Sequence, residues 1–298
     1  MAVARNGAGA SEGPAQRAPE RRMAMIDWET EYDNRARVPS FPTIVARWGH
    51  DAAAFRDKAR IEADVSYGAT PRCVMDIFFP AAPENAPVVM FIHGGYWRAF
   101  DQKPFSHMAK GLVARGAIVA VPTYDLSPYV TLSTILDELR DAAVFLWRRF
   151  QRPLMVAGHS AGGHAAAALM ATDWPSLAPD LPAGLVTSCM PISALPDLTP
   201  MTKISLNADF KLDEAEARRL SPLFWPAPKA GRAVVVVGET ESDEYHRQTN
   251  DLVAHWREAG LDVERRIVRG ANHFTVLAEL SDPKSKMVED AWSLTKDA

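Results

Sequence analysis

Cysteine is nearly absent: the 298 residues include two, Cys73 and Cys189, far apart in the chain. No CxxC pair and no Cys/His cluster at metal-ligand spacing occurs, so a disulfide framework and a zinc site are both unexpected, as suits a reducing cytoplasm. No apolar run approaches the roughly 18 residues that a membrane-spanning helix needs, and no membrane partner is expected. An excess of either charge is small as well. The formal net charge is −4, and Lys and Arg are scattered rather than gathered into a stripe, which argues against nucleic acid as a partner. Repeats are missing, and after residue 60 no linker is long enough to separate a second domain from the first. Residues 1–22 (MAVARNGAGASEGPAQRAPERR) lack the apolar stretch of a secretory signal and read as a disordered tail. Glu12 and Glu20 weigh against an organellar transit peptide, and Met23 and Met25 are alternative starts.

What is present is a core. Hydrophobic residues make up 47% of the chain, enough at this length to bury a large interior, so the expectation is a soluble cytoplasmic enzyme with a small-molecule substrate, a homodimer being left open. From Arg60 onward short β-branched runs alternate with amphipathic stretches, the pattern of a mostly parallel sheet covered by helices. Arg60 to Tyr67 and Val74 to Phe79 partly alternate polar and apolar residues and are expected as an antiparallel edge. Val88-Val-Met-Phe-Ile92 and Leu154-Met-Val-Ala157 are continuously apolar, as strands buried on both faces are. Further strands are expected at Ile118 to Pro122, Leu185 to Met190, Ala233 to Val237 and Val263 to Val268.

Helices are expected over Lys103 to Arg115, Thr131 to Phe150, from Ser160 to about Ala171, Tyr245 to Ala259, and after His273. In the second of these, Leu132, Ile135, Leu136, Leu139, Ala143, Leu146, Trp147 and Phe150 fall at three- and four-residue spacing, so one face is apolar. The Pro-rich segment 193–228 interrupts the rhythm with one helical patch, Asp213 to Leu220, and reads as a lid or cap inserted into one domain spanning 23–298.

Gly158-His159-Ser160-Ala161-Gly162 matches G-x-S-x-G, with a buried strand before it and a helix after, the context in which the motif has catalytic meaning. The plainer alternative is a Gly-rich turn in which Ser160 caps a helix. The catalytic reading makes this an α/β-hydrolase fold with Ser160 as nucleophile. Attack on a carbonyl puts negative charge on its oxygen, so fixed N–H donors are needed there. His93-Gly94-Gly95-Tyr96-Trp97, directly after a central strand, offers them: the backbone N–H groups of Gly95 and Ala161 are the expected oxyanion hole, with Gly94 or Tyr96 as further contributors. A plain Gly-Gly turn is the alternative.

Serine also needs a base, and on this fold it lies late in the chain. Of the eight histidines, His273 in Gly270-Ala-Asn-His-Phe274 fits. His50, His107, His246 and His255 fall at surface or helical positions, and His93, His159 and His164 read as braces of the two motif loops. The acid that orients the base should follow the strand ending at Val237, in Gly238-Glu-Thr-Glu-Ser-Asp-Glu244. Glu241 is favoured over Asp243, and most of the remaining acids there read as solvated loop charges. No metal or cofactor is required.

Together these segments resemble the arylformamidases (kynurenine formamidases). His-Gly-Gly-Tyr-Trp at 93–97, Gly-His-Ser-Ala-Gly-Gly-His at 158–164, Gly238 through His246-Arg-Gln248, and Glu31-Tyr-Asp-Asn-Arg-Ala-Arg-Val at 31–38 followed by Pro39 carry the likeness, which runs from about residue 27 to the end. Vertebrate members place Asp where this chain has Glu241, which keeps Asp243 open as the acid. The resemblance implies hydrolysis of N-formylkynurenine to formate and kynurenine, a step of tryptophan breakdown, with Tyr96, Trp97, Trp28 and Tyr32 as aromatic walls. Two other readings stay open: a carboxylesterase or another aryl-amide or carbamate hydrolase, and a catalytically inactive hydrolase-fold binding protein. The latter usually lacks a triad member, and here Ser160, His273 and a candidate acid are all present.

Overall fold

Successive side chains of a strand point to opposite faces, so an unbroken apolar run builds a sheet with two dry sides. In β3 (Val88–Ile92), Val88, Met90 and Ile92 enter one hydrophobic cluster and Val89 and Phe91 the other. β5 (Leu154–His159) and β7 (Arg232–Gly238) divide in the same way, Val156 against Met155 and Val235 against Val234. Both clusters are covered by helices, the arrangement that parallel central strands require.

The computed structural model describes residues 26–297; the expected N-terminal tail, residues 1–22, lies outside them. The other strands are β1 (Arg60–Ser66), β2 (Val74–Phe79), β4 (Ile118–Pro122), β6 (Val186–Ile192) and β8 (Asp262–Val268). The sheet order is β1-β2-β4-β3-β5-β6-β7-β8. β2 pairs antiparallel with both β1 and β4, and all other pairs are parallel. Registers of β3 on β5 run from Val88 opposite Leu154 to Ile92 opposite Gly158. The two strands therefore end side by side, and the loops 93–97 and 158–162 leave the same sheet edge together.

Helix boundaries differ from expectation by local causes. The stretch 103–115 is a 3₁₀ segment, Lys103–Ala109, continued by an α-helix, Lys110–Arg115, which Gly116 closes in the left-handed region at φ +108°. The long helix is Leu132–Phe150, with the Thr131 side chain accepting from the Thr134 N–H. After His273 the chain makes a 3₁₀ segment, Thr275–Ser281, before the helix Lys286–Leu294. Three helices precede β1 where none was expected: Trp28–Tyr32 and Asn34–Arg37, capped by Asp27 and Asp33, and the 16-residue Phe41–Arg56. The segment 193–228 holds Thr199–Lys203 and Pro222–Phe224 as 3₁₀ turns, with helices Asn207–Phe210 and Glu214–Arg219, the latter inside the expected patch. Leu195, Leu198, Met201 and Leu220 of that segment are buried in the larger hydrophobic cluster. Among the described residues no helix is long and apolar enough to cross a membrane.

One ion pair ties the N-terminal helices to the sheet. Asp76 on β2 is fully buried, pairs with Arg56, and accepts the Asp64 N–H at 2.9 Å. Ser106 accepts a further Arg56 N–H at 3.0 Å. Removing the carboxylate strands a largely buried guanidinium, so Asp76→Ala is expected to lower unfolding free energy by about 3 kcal/mol in urea denaturation. Asp180→Ala, which breaks the exposed Arg148–Asp180 pair, is expected to cost about 0.5 kcal/mol or less.

Candidate active site

β5 delivers Ser160 to a turn that only two glycines permit. A Cβ on Gly158 would lie 2.1 Å from the Gly162 carbonyl oxygen, and one on Gly162 would lie 2.1 Å from the Ile92 carbonyl oxygen. Between them Ser160 adopts φ +56° and ψ −115°, a conformation L-residues avoid and functional sites often hold. Its N–H donates to the Ile192 carbonyl at 2.8 Å, and its own carbonyl accepts from His164 N–H at 3.0 Å, so the turn is fixed on both sides.

Three of the singled-out side chains meet here. His273 Nε2 lies 3.1 Å from Ser160 Oγ, and His273 Nδ1 lies 2.7 Å from Glu241 Oε2. Glu241 Oε1 accepts from Ser193 Oγ and from the Gly238 N–H, both at 2.6 Å. A carboxylate can only accept, so the imidazole proton sits on Nδ1 and Nε2 is left to accept from the serine. Asp243, by contrast, is exposed in the first turn of the helix Asp243–Glu258. The geometry places Glu241 at His273 and leaves Asp243 in solvent.

Gly94 packs directly on this group: a Cβ there would lie 3.2 Å from Ser160 Cβ. Gly95 takes φ +124°, which a side chain would resist. Among the described residues the backbone N–H groups of Gly95 and Ala161 donate no hydrogen bond, and Ala161 begins the helix Ala161–Met170, where unpaired N–H groups and the positive end of the helix dipole coincide.

The three motif histidines are buried, and His159 also lines the cavity beside Ser160. His159 Nε2 donates to the His273 carbonyl at 2.7 Å, and His164 Nε2 donates to the Leu220 carbonyl at 2.7 Å. His93 stacks between Phe105 and Tyr124, with ring centroids 5.3 and 4.6 Å away. Burial pushes His93 and His164 down to about 4 and His159 well below the ordinary histidine value. His107 lies in the 3₁₀ segment Lys103–Ala109, within the stretch expected as a helix, and is buried there.

A cavity of about 480 Å³ opens on Ser160, His273, Gly94 and Gly95. Of the four aromatic residues singled out as walls, Tyr32 and Tyr96 line it and Trp97 and Trp28 do not. Trp97 is driven into the core, edge-on to His164 at 5.4 Å and to Phe210 at 5.7 Å. Trp28 stacks on the far side of Tyr32 at 6.4 Å, under the Lys203 ammonium. The walls come instead from Phe41, Trp48, Phe100, Phe105 and Phe274, with Ile204, Ser205 and Leu206 contributed by the segment 193–228. Phe274 carried a signal, its place beside His273. Phe41 and Trp48 lie on a helix with a weak amphipathic pattern, and nothing local marked them.

Comparison with known proteins bears on the class of the chain. The family model described as BD-FAE matches residues 75–178. Kynurenine formamidase of Danio rerio is 28% identical over 229 residues, which span 74% of this chain and 76% of that protein. The Drosophila melanogaster enzyme of the same name is 25% identical over 83% of this chain and 85% of its own. A crystal structure from Silicibacter sp. TM1040, provisionally named a thioesterase, superposes with a TM-score of 0.81 at 31% identity, covering 89% of this chain and 98% of that one. Esterase B from Lactobacillus rhamnosis shares the fold at 18% identity and a TM-score of 0.68, over 90% of this chain and 96% of its own. The chain is thus a hydrolase and belongs to the α/β-hydrolase superfamily. Within it, the chain is similar to kynurenine formamidases over about three quarters or more of its length.

The buried histidines set a pH limit on stability. In the unfolded chain His93, His159 and His164 take up protons near pH 6.5, whereas in the fold His93 and His164 stay neutral until pH falls to about 4, and burial holds His159 well below the ordinary histidine value. Between those values the unfolded state binds more protons, so stability falls as pH is lowered from about 6.5 toward 4. Each histidine contributes about 1.4 kcal/mol per pH unit at most. Thermal melts at pH 7, 6, 5 and 4 are expected to show Tm dropping steadily. His164→Gln, which keeps a donor for the Leu220 carbonyl without a titrating ring, is expected to flatten that drop.

Proposed function

We propose that the protein is a serine hydrolase of small acyl aryl amides, with N-formylkynurenine as substrate, and that Ser160, His273 and Glu241 are its catalytic triad. The observation that carries this reading is the hydrogen-bonded series Glu241–His273–Ser160 ending in a cavity flanked by the free N–H groups of Gly95 and Ala161. His273 Nε2 takes the Ser160 proton as Oγ attacks the formyl carbon. The resulting oxyanion is held by the Gly95 and Ala161 N–H groups, with Gly94 keeping the approach open. Glu241 stabilises the imidazolium, held in place by Ser193 and Gly238, and the imidazolium then protonates the leaving arylamine nitrogen. Water repeats the sequence on the acyl-enzyme and releases formate.

The substrate assignment draws on the formamidase relatives and on the chemistry of the cavity. A formyl group carries hydrogen where other acyl groups carry a chain, so it needs no extra room beside the tightly packed Gly94. The aromatic residues Phe41, Trp48, Phe100 and Phe274 offer apolar faces to an aryl leaving group. The segment 193–228 is proposed to act as a cap, since Ile204 and Leu206 close one side of the cavity. Ester or thioester hydrolysis is the second reading, favoured by the 31% identical relative provisionally named a thioesterase. The same triad serves either acyl group.

Steady-state kinetics on N-formylkynurenine, a short-chain p-nitrophenyl ester and a short acyl thioester separate these readings. The amidase reading expects kcat/KM for the formamide above roughly 10⁴ M⁻¹s⁻¹, abolished by Ser160→Ala. Ester or thioester turnover through Ser160 with negligible formamide turnover would retain the triad and discard the substrate. For the acid, Glu241→Gln is expected to lower kcat by about 10³- to 10⁴-fold, because the imidazole loses its fixed tautomer. Asp243→Asn is expected to stay within about two-fold, as a surface charge change does.

A further inference from the structure

The segment 31–39, singled out by its sequence, reaches the cavity without a part in the chemistry above. Tyr32 and Asn34 turn inward: the Tyr32 hydroxyl donates to Glu244 at 2.7 Å, and Asn34 Nδ2 donates to the Tyr245 hydroxyl at 2.8 Å and to the Tyr96 hydroxyl at 3.3 Å. Those bonds fix the short helix Asn34–Arg37 against the helix Asp243–Glu258. Arg35, the next residue, is left at the exposed lip of the cavity.

Glu29, Asp33, Arg35 and Arg98 are the Asp, Glu, Lys and Arg side chains of the cavity lining. Three of them are already engaged. Glu29 accepts from the Ser205 N–H at 2.8 Å and from the Ser205 hydroxyl, Asp33 caps a helix by accepting the Ala36 N–H at 3.0 Å, and Arg98 pairs with Asp209 at 2.6 Å. Arg35 differs. Its guanidinium carbon lies 5.0 Å from the centre of the Phe41 ring, a wall of the cavity, and among the described residues it pairs with no carboxylate. A guanidinium held on an aromatic face keeps the N–H donors along its edge free for another group.

We propose that Arg35 is a specificity-determining residue that pairs with a carboxylate on the leaving portion of the substrate, so that the protein selects aryl amides or esters with an anionic leaving group. This rests on the serine-hydrolase reading above, whichever acyl bond is cut. Gly94 crowds Ser160, so the bulk of a bound molecule lies along the aromatic walls, and Phe41 holds the cation on one of them. A planar carboxylate matches the guanidinium fork with two parallel N–H···O bonds, a fit that Lys does not reproduce. The carboxylate does not change during the reaction, so the contact is made equally in the bound substrate and in the transition state. It therefore lowers KM rather than raising kcat.

Two matched esters test this: 3-acetoxybenzoate, which releases an anionic phenol, and 3-acetoxybenzamide, its neutral counterpart. The measured quantity is the ratio of their kcat/KM values in each variant, and comparing ratios between variants cancels the difference in leaving-group chemistry. Arg35→Gln is expected to lower the ratio about five-fold, the scale of a partly exposed charged hydrogen bond, with the loss in KM for the anionic ester. Arg35→Lys should restore part of it. Raising ionic strength from about 0.02 to 0.5 M should move the ratio of the unaltered protein toward that of Arg35→Gln. Arg37→Gln removes a charge from the same helix, where Arg37 pairs with Glu31 outside the cavity lining, and is expected to leave the ratio as it is. A ratio that Arg35→Gln leaves unchanged, or that Arg37→Gln lowers as much, would overturn the role of Arg35. Turnover of neither ester, or turnover that survives Ser160→Ala, would instead remove the serine-hydrolase reading on which it rests.

Discussion

Two strand ends held closer than any side chain would allow set the geometry from which the rest of the site follows. The Ile92 carbonyl at the end of β3 sits where a Cβ on Gly162 would be, and the Gly162 carbonyl sits where a Cβ on Gly158 would be. Because β3 and β5 are in register up to Ile92 and Gly158, this contact locks the donor loop 93–97 against the serine turn. The positive φ of Ser160 is a cost of order 1–3 kcal/mol, and the surrounding sheet, buried on both faces, offsets it. A preorganised oxyanion site is the kind of feature such a rigid contact can hold in place without reorganisation during reaction.

The second constraint is a buried charge. Glu241 is almost inaccessible, and an isolated carboxylate there would be expensive to keep ionised. Three donors converge on it, from His273, Ser193 and Gly238, and each comes from a different strand end: Gly238 from β7, Ser193 just after β6, His273 from the loop after β8. The carboxylate thus fastens three loops together while orienting the imidazole. His159 adds a fourth tie, from β5 to the His273 carbonyl. The orientation of the proposed catalytic histidine and the packing of this end of the sheet rest on the same few bonds.

Legibility in the sequence followed burial. Strands 88–92, 154–157 and 233–237 were readable because immersion on both faces demands an unbroken apolar run, and the loops carrying Ser160 and His273 could be located by counting from their ends. Glu241 could be ranked above Asp243 by its distance from the strand end, but what separates them is burial, which comes from Ser193, a residue 48 positions away. The helix Phe41–Arg56 was not readable, since only Trp48 and Ala52 in it are fully buried and its pattern is weak. The place of Trp97 was hidden for a related reason. Adjacent residues in a loop of left-handed φ, Tyr96 at +51° and Trp97 at +54°, diverge, one toward the cavity and one toward the core.

The N-terminal helices therefore change what counts as the site. Asn34, Phe41 and Trp48 precede the first strand, yet each reaches the cavity, and Tyr32 hydrogen-bonds Glu244 at 2.7 Å and Gln248 at 2.8 Å on the helix that also carries Tyr245. Glu244 in turn pairs with Arg247, which reaches Asp197 at the root of the segment 193–228. A continuous polar network thus runs from the N-terminal helices through the helix Asp243–Glu258 to the segment proposed as cap. Buried networks of this kind hold their shape only when every member is satisfied, so the position of the N-terminal segment and the orientation of the groups around Ser160 are set together.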